Sequence, residues 1–245
     1  MSRYFIQVAY KGTNYSGFQS QKNANSIQAE VEKGIATIQK EEIILTGSSR
    51  TDAGVHALQN FFHFDTDNQL HTELAYKLNA ILPKDIVVKS ISQVADQAHS
   101  RFDAISREYK YFIYRHKNPF LNDRGYYYPY TLDVEAMQKA AAVLKEYTDF
   151  TSFSKRNTQV KTFNCSITES KWLWEDDCLV YNVEANRFLR GMVRALTATM
   201  LKVGRGKTSL DEFKAIIEAK DCTMASFGVP PHGLFLITVS YPALL

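Results

Sequence analysis

Tyr4-Phe5-Ile6-Gln7-Val8-Ala9-Tyr10 is a run of aromatic, β-branched and apolar residues with the two-residue period of a strand. Downstream, Asn25-Ser26-Ile27-Gln28 has the look of a capping box, and Ile27, Val31, Ile35 and Ile38 follow at helical spacing. Ile43-Ile44-Leu45 and Phe61-Phe62-His63-Phe64 read as two strands around a polar loop. Leu74, Leu78 and Ile81 mark a helix ended by Pro83, and Ile86-Val87-Val88 opens another strand. The order is β-α-β-β-α-β. A second pass starts after residue 103, with Tyr109-Lys110-Tyr111-Phe112-Ile113-Tyr114 as a strand and Val134, Met137, Ala141 and Leu144 as a helix face. Strands over about 161–174 and 178–185 are separated by Glu175-Asp176-Asp177. A helix over about 186–203, a further helix opening at Ser209-Leu210-Asp211-Glu212 and a strand at 234–241 complete it. The expectation is an α+β chain of two ferredoxin-like (RRM-like) β-α-β-β-α-β units, 1–103 and 104–245. Side by side they form a broad, mostly antiparallel sheet with helices on one face and a central cleft able to cradle a large substrate.

Bulk properties narrow the class. The 245 residues, 45% of them hydrophobic, suffice for a packed core without staples. Cys165, Cys178 and Cys222 are odd in number and widely spaced, which suits reduced structural thiols better than disulfides or a zinc site. The start, Met1-Ser2-Arg3-Tyr4-Phe5, lacks an apolar segment with a cleavage site, and no run reaches the length that spans a bilayer, so a cytoplasmic protein is expected. A net charge of +3 does not announce a nucleic-acid binder. An aromatic share of 13%, with 14 tyrosines and 15 phenylalanines, supplies the rings that unstacked bases use as platforms, although most must serve strands and core.

The chemistry concentrates in the loop Gly47-Ser48-Ser49-Arg50-Thr51-Asp52-Ala53-Gly54-Val55-His56-Ala57. Asp52 offers a carboxylate that can act as base or nucleophile, Arg50 a planar cation that reaches a phosphate or stacks, and Gly54 a backbone that permits close approach. His56 stands near Asp52, where a lone histidine is more often structural. Arg187, Arg190 and Arg194 fall at i, i+3 and i+7 of the expected 186–203 helix. On spacing alone they are phosphate contacts or a solvated basic face. Tyr109 shares a strand face with Tyr111, as a sheet-core residue or a ligand contact. Gly206-Lys207-Thr208 is no phosphate loop, because the glycine required five residues earlier is Leu201; Gly204 and Gly206 read as a helix stop. Neither a helical zinc motif nor a G-x-S-x-G elbow occurs, and no cofactor or metal is indicated.

The Asp52 loop resembles the G-R-T-D-A-G-V-H signature around the catalytic aspartate of TruA-type tRNA pseudouridine synthases, with Ser49 in place of the glycine before the arginine. Tyr10-Lys11-Gly12-Thr13-Asn14-Tyr15-Ser16-Gly17-Phe18-Gln19-Ser20-Gln21 is similar to the family's Y-D-G-x-x-Y-x-G-W-Q-x-Q, with Lys11 for the acid and Phe18 for the tryptophan. Ala98-His99-Ser100-Arg101-Phe102 and Arg107-Glu108-Tyr109-Lys110-Tyr111 resemble its H-A-R-F and R-x-Y-x-Y stretches. Asp149-Phe150-Thr151-Ser152-Phe153, Asn186 through Arg194 and Gly233-Leu234-Phe235-Leu236 follow in order.

The resemblance implies the two-unit architecture, a homodimer, and isomerisation of uridine to pseudouridine at successive uridines on the 3′ side of the tRNA anticodon stem-loop. It implies Asp52 as the catalytic carboxylate, Arg194 as its partner and Tyr109 as the ring that stacks on the target base. Arg187 and Arg190 are left as RNA contacts. Extrusion of the base also requires a group to fill the gap it leaves, and Arg50 is the candidate for that task. The reaction is redox-neutral, so it needs neither metal, nucleotide nor flavin. A non-catalytic RNA-binding protein with paired RRM-like sheets is the alternative, weakened because neither central strand carries the full RNP1 pattern. Another base-modifying enzyme is disfavoured because the cofactor loop and the zinc ligands such reactions use are not visible.

Overall fold

The computed structural model describes residues 1–156, 158 and 160–242. The chain forms two compact units, Met1–Ile105 with the segment from Phe235, and Ser106–Leu234. The fold is mixed α+β, with mostly antiparallel strand pairing in each unit.

In the first unit the order is β1 (Ser2–Tyr10), α1 (Ile27–Gln39), β2 (Thr46–Gly47), β3 (His56–Thr66), α2 (Leu74–Ile81) and β4 (Ile86–Val94). The sheet runs β4-β1-β3-β2, every pair antiparallel. Ile6, Val8, Phe62 and Phe64 are buried from the sheet, and Ile27, Val31, Ile35, Leu74 and Leu78 from the helices. Each such side chain contributes about 1.5–3 kcal/mol through removal from water. Phe5, Phe61 and His63 come from the alternate positions. Tyr241 meets both phenylalanines, with ring centroids 5.4 Å from Phe5 and 5.1 Å from Phe61. Ser26 caps α1 by accepting the Ala29 N–H.

The strand expected at Ile43-Ile44-Leu45 is not one. Leu45 N–H donates to Glu32 Oε1 and Leu45 O accepts from Gln28 Nε2, so side chains of α1 take the backbone groups a neighbouring strand would have paired. Pairing starts instead at Thr46, opposite His63.

The second unit holds β5 (Ser106–Tyr114), β6 (Tyr126–Tyr127), α3 (Val134–Val143), β7 (Ile167–Glu175), β8 (Cys178–Ala185), α4 (Met192–Gly204) and α5 (Leu210–Glu218). β8 lies between β5 and β7, antiparallel to both. The β7–β8 turn is Asp176-Asp177, with Asp176 at φ 48°. β7 starts at Ile167 and not near 161. Residues 163–165 bond instead to the 148–150 segment, Phe150 N–H to Phe163 O and Cys165 N–H to Thr148 O. β9 (Leu234–Ser240) pairs in parallel with the start of β3, His56 opposite Phe235.

The largest correction concerns the 186–203 helix. It begins at Met192, because Gly191 takes a left-handed φ of 74° and Asn186 and Lys155 bond to Ser166 and Arg190 through their backbone N–H groups. Arg187 and Arg190 therefore precede the helix, and the three-arginine face does not exist. α4 is an interior helix: Leu196, Met200 and Leu201 are buried, and the buried Thr197 and Thr199 hydroxyls donate back to Val193 O and Ala195 O. Its end is a Schellman motif, with Lys207 N–H on Lys202 O, Gly206 N–H on Val203 O and Gly206 at φ 64°. Gly204 serves packing, since a Cβ there would sit 2.4 Å from Met137 Sδ. Cys165, Cys178 and Cys222 are free thiols. Among the described residues no helix is long and apolar enough to cross a membrane.

Candidate active site

The loop from Gly47 to His56 has little regular structure of its own, yet its backbone is tied down at nearly every step. Ser48 N–H donates to Phe61 O at 2.8 Å. Asn60, fully buried, accepts from Ser49 N–H and Phe61 N–H and donates to Ser49 O and Tyr10 Oη, which uses all its hydrogen-bonding capacity. Tyr10 Oη lies 2.8 Å from Thr51 Oγ1, so the network grips both residues flanking Arg50. Burial alternates as a result. Ser49 and Thr51 are buried, Arg50 is exposed and Asp52 is half-buried. The cation and the carboxylate are thus the two charged side chains the loop leaves accessible, and a tight turn follows, with Val55 N–H on Asp52 O and Gly54 at φ 78°.

Two glycines let the 12–18 segment lie directly on this loop. A Cβ on Gly12 would fall 2.0 Å from Val55 O, and one on Gly17, at φ 112°, 3.1 Å from Thr51 O. Phe18 N–H donates to Thr51 O, and the Phe18 ring, 1% exposed, stacks on Phe62 at 4.3 Å. His56 Nδ1 accepts the Gly12 N–H, and its ring is 1% exposed beside Phe235, which makes it a structural clasp. The His99-Ser100 turn buttresses the same region. Ser100 Oγ donates to Thr46 O and lies 2.8 Å from His63 Nδ1. Burial, with the charges of His99 and Arg3, holds His63 down at about 4.

In the second unit Tyr109 faces Val183 across β5–β8 and meets the edge of Phe188 at 5.1 Å. Its strand-face companion Tyr111 is fully buried and donates to Pro230 O, and burial pushes its hydroxyl far above the ordinary tyrosine value. Arg194, in the first turn of α4, donates through Nε and Nη2 to Val229 O at 3.1 and 2.7 Å. Arg187 is half-buried, close enough to Cys165 to oppose the burial that raises that thiol to about 11. Arg190 is exposed in the turn before Gly191. Arg50 and Asp52 thus share one loop of the first unit, and Tyr109, Arg187, Arg190 and Arg194 lie in the second. Among the described residues no His, Cys, Asp or Glu cluster could hold a metal ion.

A model of the tRNA pseudouridine synthase family matches residues 6–103 and 140–242. Proteins named tRNA pseudouridine synthase A from Parabacteroides distasonis and Porphyromonas gingivalis are 47% and 46% identical to the chain, over 99% of its length and 97% and 98% of their own. That of Bacteroides thetaiotaomicron is 46% identical over 99% of this chain and 91% of its own. The chain belongs to the tRNA pseudouridine synthase family. Membership makes it an isomerase acting on tRNA.

Against the motifs of the pseudouridine synthases, the three departures have local explanations of different quality. Phe18 fills its place completely, flat on Phe62, with its Cε1 only 2.4 Å from where a Gly47 Cβ would be. Ser49 fits less well, since its buried Oγ finds no hydrogen-bond partner among the described residues. Lys11 carries its side chain outward and donates its backbone N–H to Asp85 O. Sequence reasoning passed over one feature. Tyr126 and Tyr127 line a cavity of about 640 Å³ together with Arg194 and His232, and their signal was the run Gly125-Tyr126-Tyr127-Tyr128-Pro129-Tyr130. It lies, like Tyr109, outside the ranges matched by the family model.

Proposed function

We propose that the chain converts uridine to pseudouridine in the anticodon stem-loop of tRNA, with Asp52 as the catalytic carboxylate acting on a base flipped from its helix. The observation that carries the reading is the alternation along Ser49-Arg50-Thr51-Asp52. Asn60 and Tyr10 pin the buried pair, through the Ser49 backbone and the Thr51 hydroxyl, and leave a guanidinium and a carboxylate to meet the substrate. Preorganisation of this kind is what a site needs if its acid must meet one atom of a mobile nucleoside.

The reaction breaks the N1–C1′ bond and makes a C5–C1′ bond; a proton leaves C5 and one is gained at N1, so no electrons are exchanged. Asp52 begins it either by attacking the sugar or base or by removing a ribose proton. Arg194 pairs with Asp52 and aims its carboxylate at the reacting atoms. Arg50 enters the space that the uridine vacates, and Tyr109 stacks on the uracil so that the detached base turns without escaping. Arg187 and Arg190 bind phosphates.

The reading carries an architecture with it: two ferredoxin-like halves, 1–103 with the carboxylate and 104–245 with the base and RNA contacts, facing a central cleft. Its support is the β4-β1-β3-β2 order of the first unit, in which helices follow the first and third strands. A homodimer working in the cytoplasm, with the RNA spanning both subunits, joins two basic grooves and eases the modest net charge of +3. Incubation with unmodified tRNA and no additives, followed by nucleoside mass analysis, tests the whole. Pseudouridine at anticodon-stem uridines is expected, and its absence from every tRNA offered overturns the reading.

A further inference from the structure

Neither the Asp52 loop nor the arginines account for the tyrosine run at 126–130. Its backbone is fixed: β6 pairs in parallel with Ile113 and Tyr114, Tyr128 N–H donates to Tyr114 O, and a His232 ring N–H bonds Gly125 O. Its rings form a chain, Tyr126–Tyr128 at 5.3 Å and Tyr128–Tyr130 at 4.9 Å. The Arg205 guanidinium lies 4.0 Å over Tyr130. Tyr127, beside Tyr114 at 5.5 Å, still leaves 44% of its surface to solvent, and Tyr130 leaves 49%.

The lining of the neighbouring cavity includes the aromatic rings of Tyr126, Tyr127 and Phe227 and the polar or cationic side chains of Asn122, His232 and Arg194. Among the described residues no carboxylate lines it, and the nearby Asp123 lies 3.9 Å from Arg124. A purely apolar occupant would leave the Asn122 amide and the Tyr126 and Tyr127 hydroxyls unmatched. A nucleotide matches them, with a π-face for a ring, edge atoms for Asn122 and the tyrosine hydroxyls, and a phosphate for Arg194.

We propose that this cavity is a subsite for an unstacked nucleotide of the RNA substrate distinct from the target uridine, with Tyr127 as its stacking face. The proposal rests on the RNA-modifying function above. Extruding one uridine exposes the faces of its neighbours, so a second ring platform lowers the cost of eversion. Arg194 lines the cavity and ties this subsite to the arginine assigned to Asp52.

The test is the affinity of Tyr127 variants for unmodified tRNA, with thermal unfolding as the control for folding. Tyr127→Ala should weaken binding about 5- to 100-fold, the range for loss of one base–aromatic stack. Tyr127→Leu, which keeps apolar volume against Tyr114, should weaken it similarly. Tyr127→Phe should bind within about twofold of wild type, and the salt slope should stay unchanged because no charge is removed. Alanine and leucine variants that bind like wild type, or a phenylalanine variant as weak as alanine, overturn the subsite while tRNA modification stands. A wild-type chain with no affinity for tRNA overturns both.

Discussion

The Asp52 loop and the segment leading into α4 carry the residues assigned to chemistry and to RNA, and they are built on opposite principles. The loop has almost no regular structure, but Asn60 and Tyr10 bond the residues on either side of Arg50, and Gly12 and Gly17 let a second segment lie directly against it. α4 is regular and buried, yet the arginines before it sit on a turn set by one left-handed glycine. Precision in this molecule follows the density of side-chain bonds to the backbone and not the presence of a helix.

Removal of the carboxylate breaks the comparison hardest. Asp52→Asn should lower turnover by about 10³-fold or more while tRNA affinity changes less than about threefold, read by single-turnover assays and equilibrium binding. Turnover near wild type would strip Asp52 of its role. Gly12→Ala attacks the frame: a methyl 2.0 Å from Val55 O forces the two loops apart, with an expected loss of about 3 kcal/mol in urea unfolding and a parallel fall in activity. An alanine variant as stable as wild type would show the loop contact to be dispensable.

The buttress beneath the loop should respond to acid. The folded-state value of His63 lies below its unfolded one, so the unfolded chain binds the extra proton and stability falls with pH. The effect starts near 6.5 and is complete at about 4. The difference in stability between pH 7 and pH 4.5 should be roughly 2 kcal/mol larger in wild type than in His63→Asn. Equal differences would remove His63 from the linkage. On the other side, Arg187→Ala and Arg190→Ala should each lower the salt slope of tRNA binding by about 1 and weaken binding without changing the chemical step. An unchanged slope for both would exclude phosphate contact. The smallest effect belongs to Ser49→Ala, which deletes a buried hydroxyl that has no partner among the described residues. Stability should rise by up to about 1 kcal/mol, and a fall would reveal an unseen bond.

The same contrast explains what could be read before the fold was known. β1, the Ser26 cap and the Ser209 capping box announce themselves within a few residues, because their causes are local. The start of α4 did not. Arg187, Arg190 and Arg194 have perfect helical spacing, and only the backbone bonds from Lys155 and to Ser166, with Gly191 at φ 74°, keep the first two out. Ile43-Ile44-Leu45 failed for a related reason, since Glu32 and Gln28 on α1 occupy its backbone from a distance that no strand pattern encodes. The tyrosines at 126–130 were visible as rings but not as a wall, because Phe227 and His232 come from about a hundred residues later.

The parallel pairing of β9 with β3 has a consequence for biosynthesis. Val239 N–H bonds the Gln59 side chain across 180 residues of chain, and Tyr241 reaches Ser48 and the Ser100 carbonyl. At translation rates of about 5–20 residues per second, the nascent first unit waits on the order of ten seconds or more for these partners. During that interval the start of β3, at His56 and Ala57, is open along one margin to any other extended polypeptide. Slower synthesis of the second unit would lengthen that exposure in proportion.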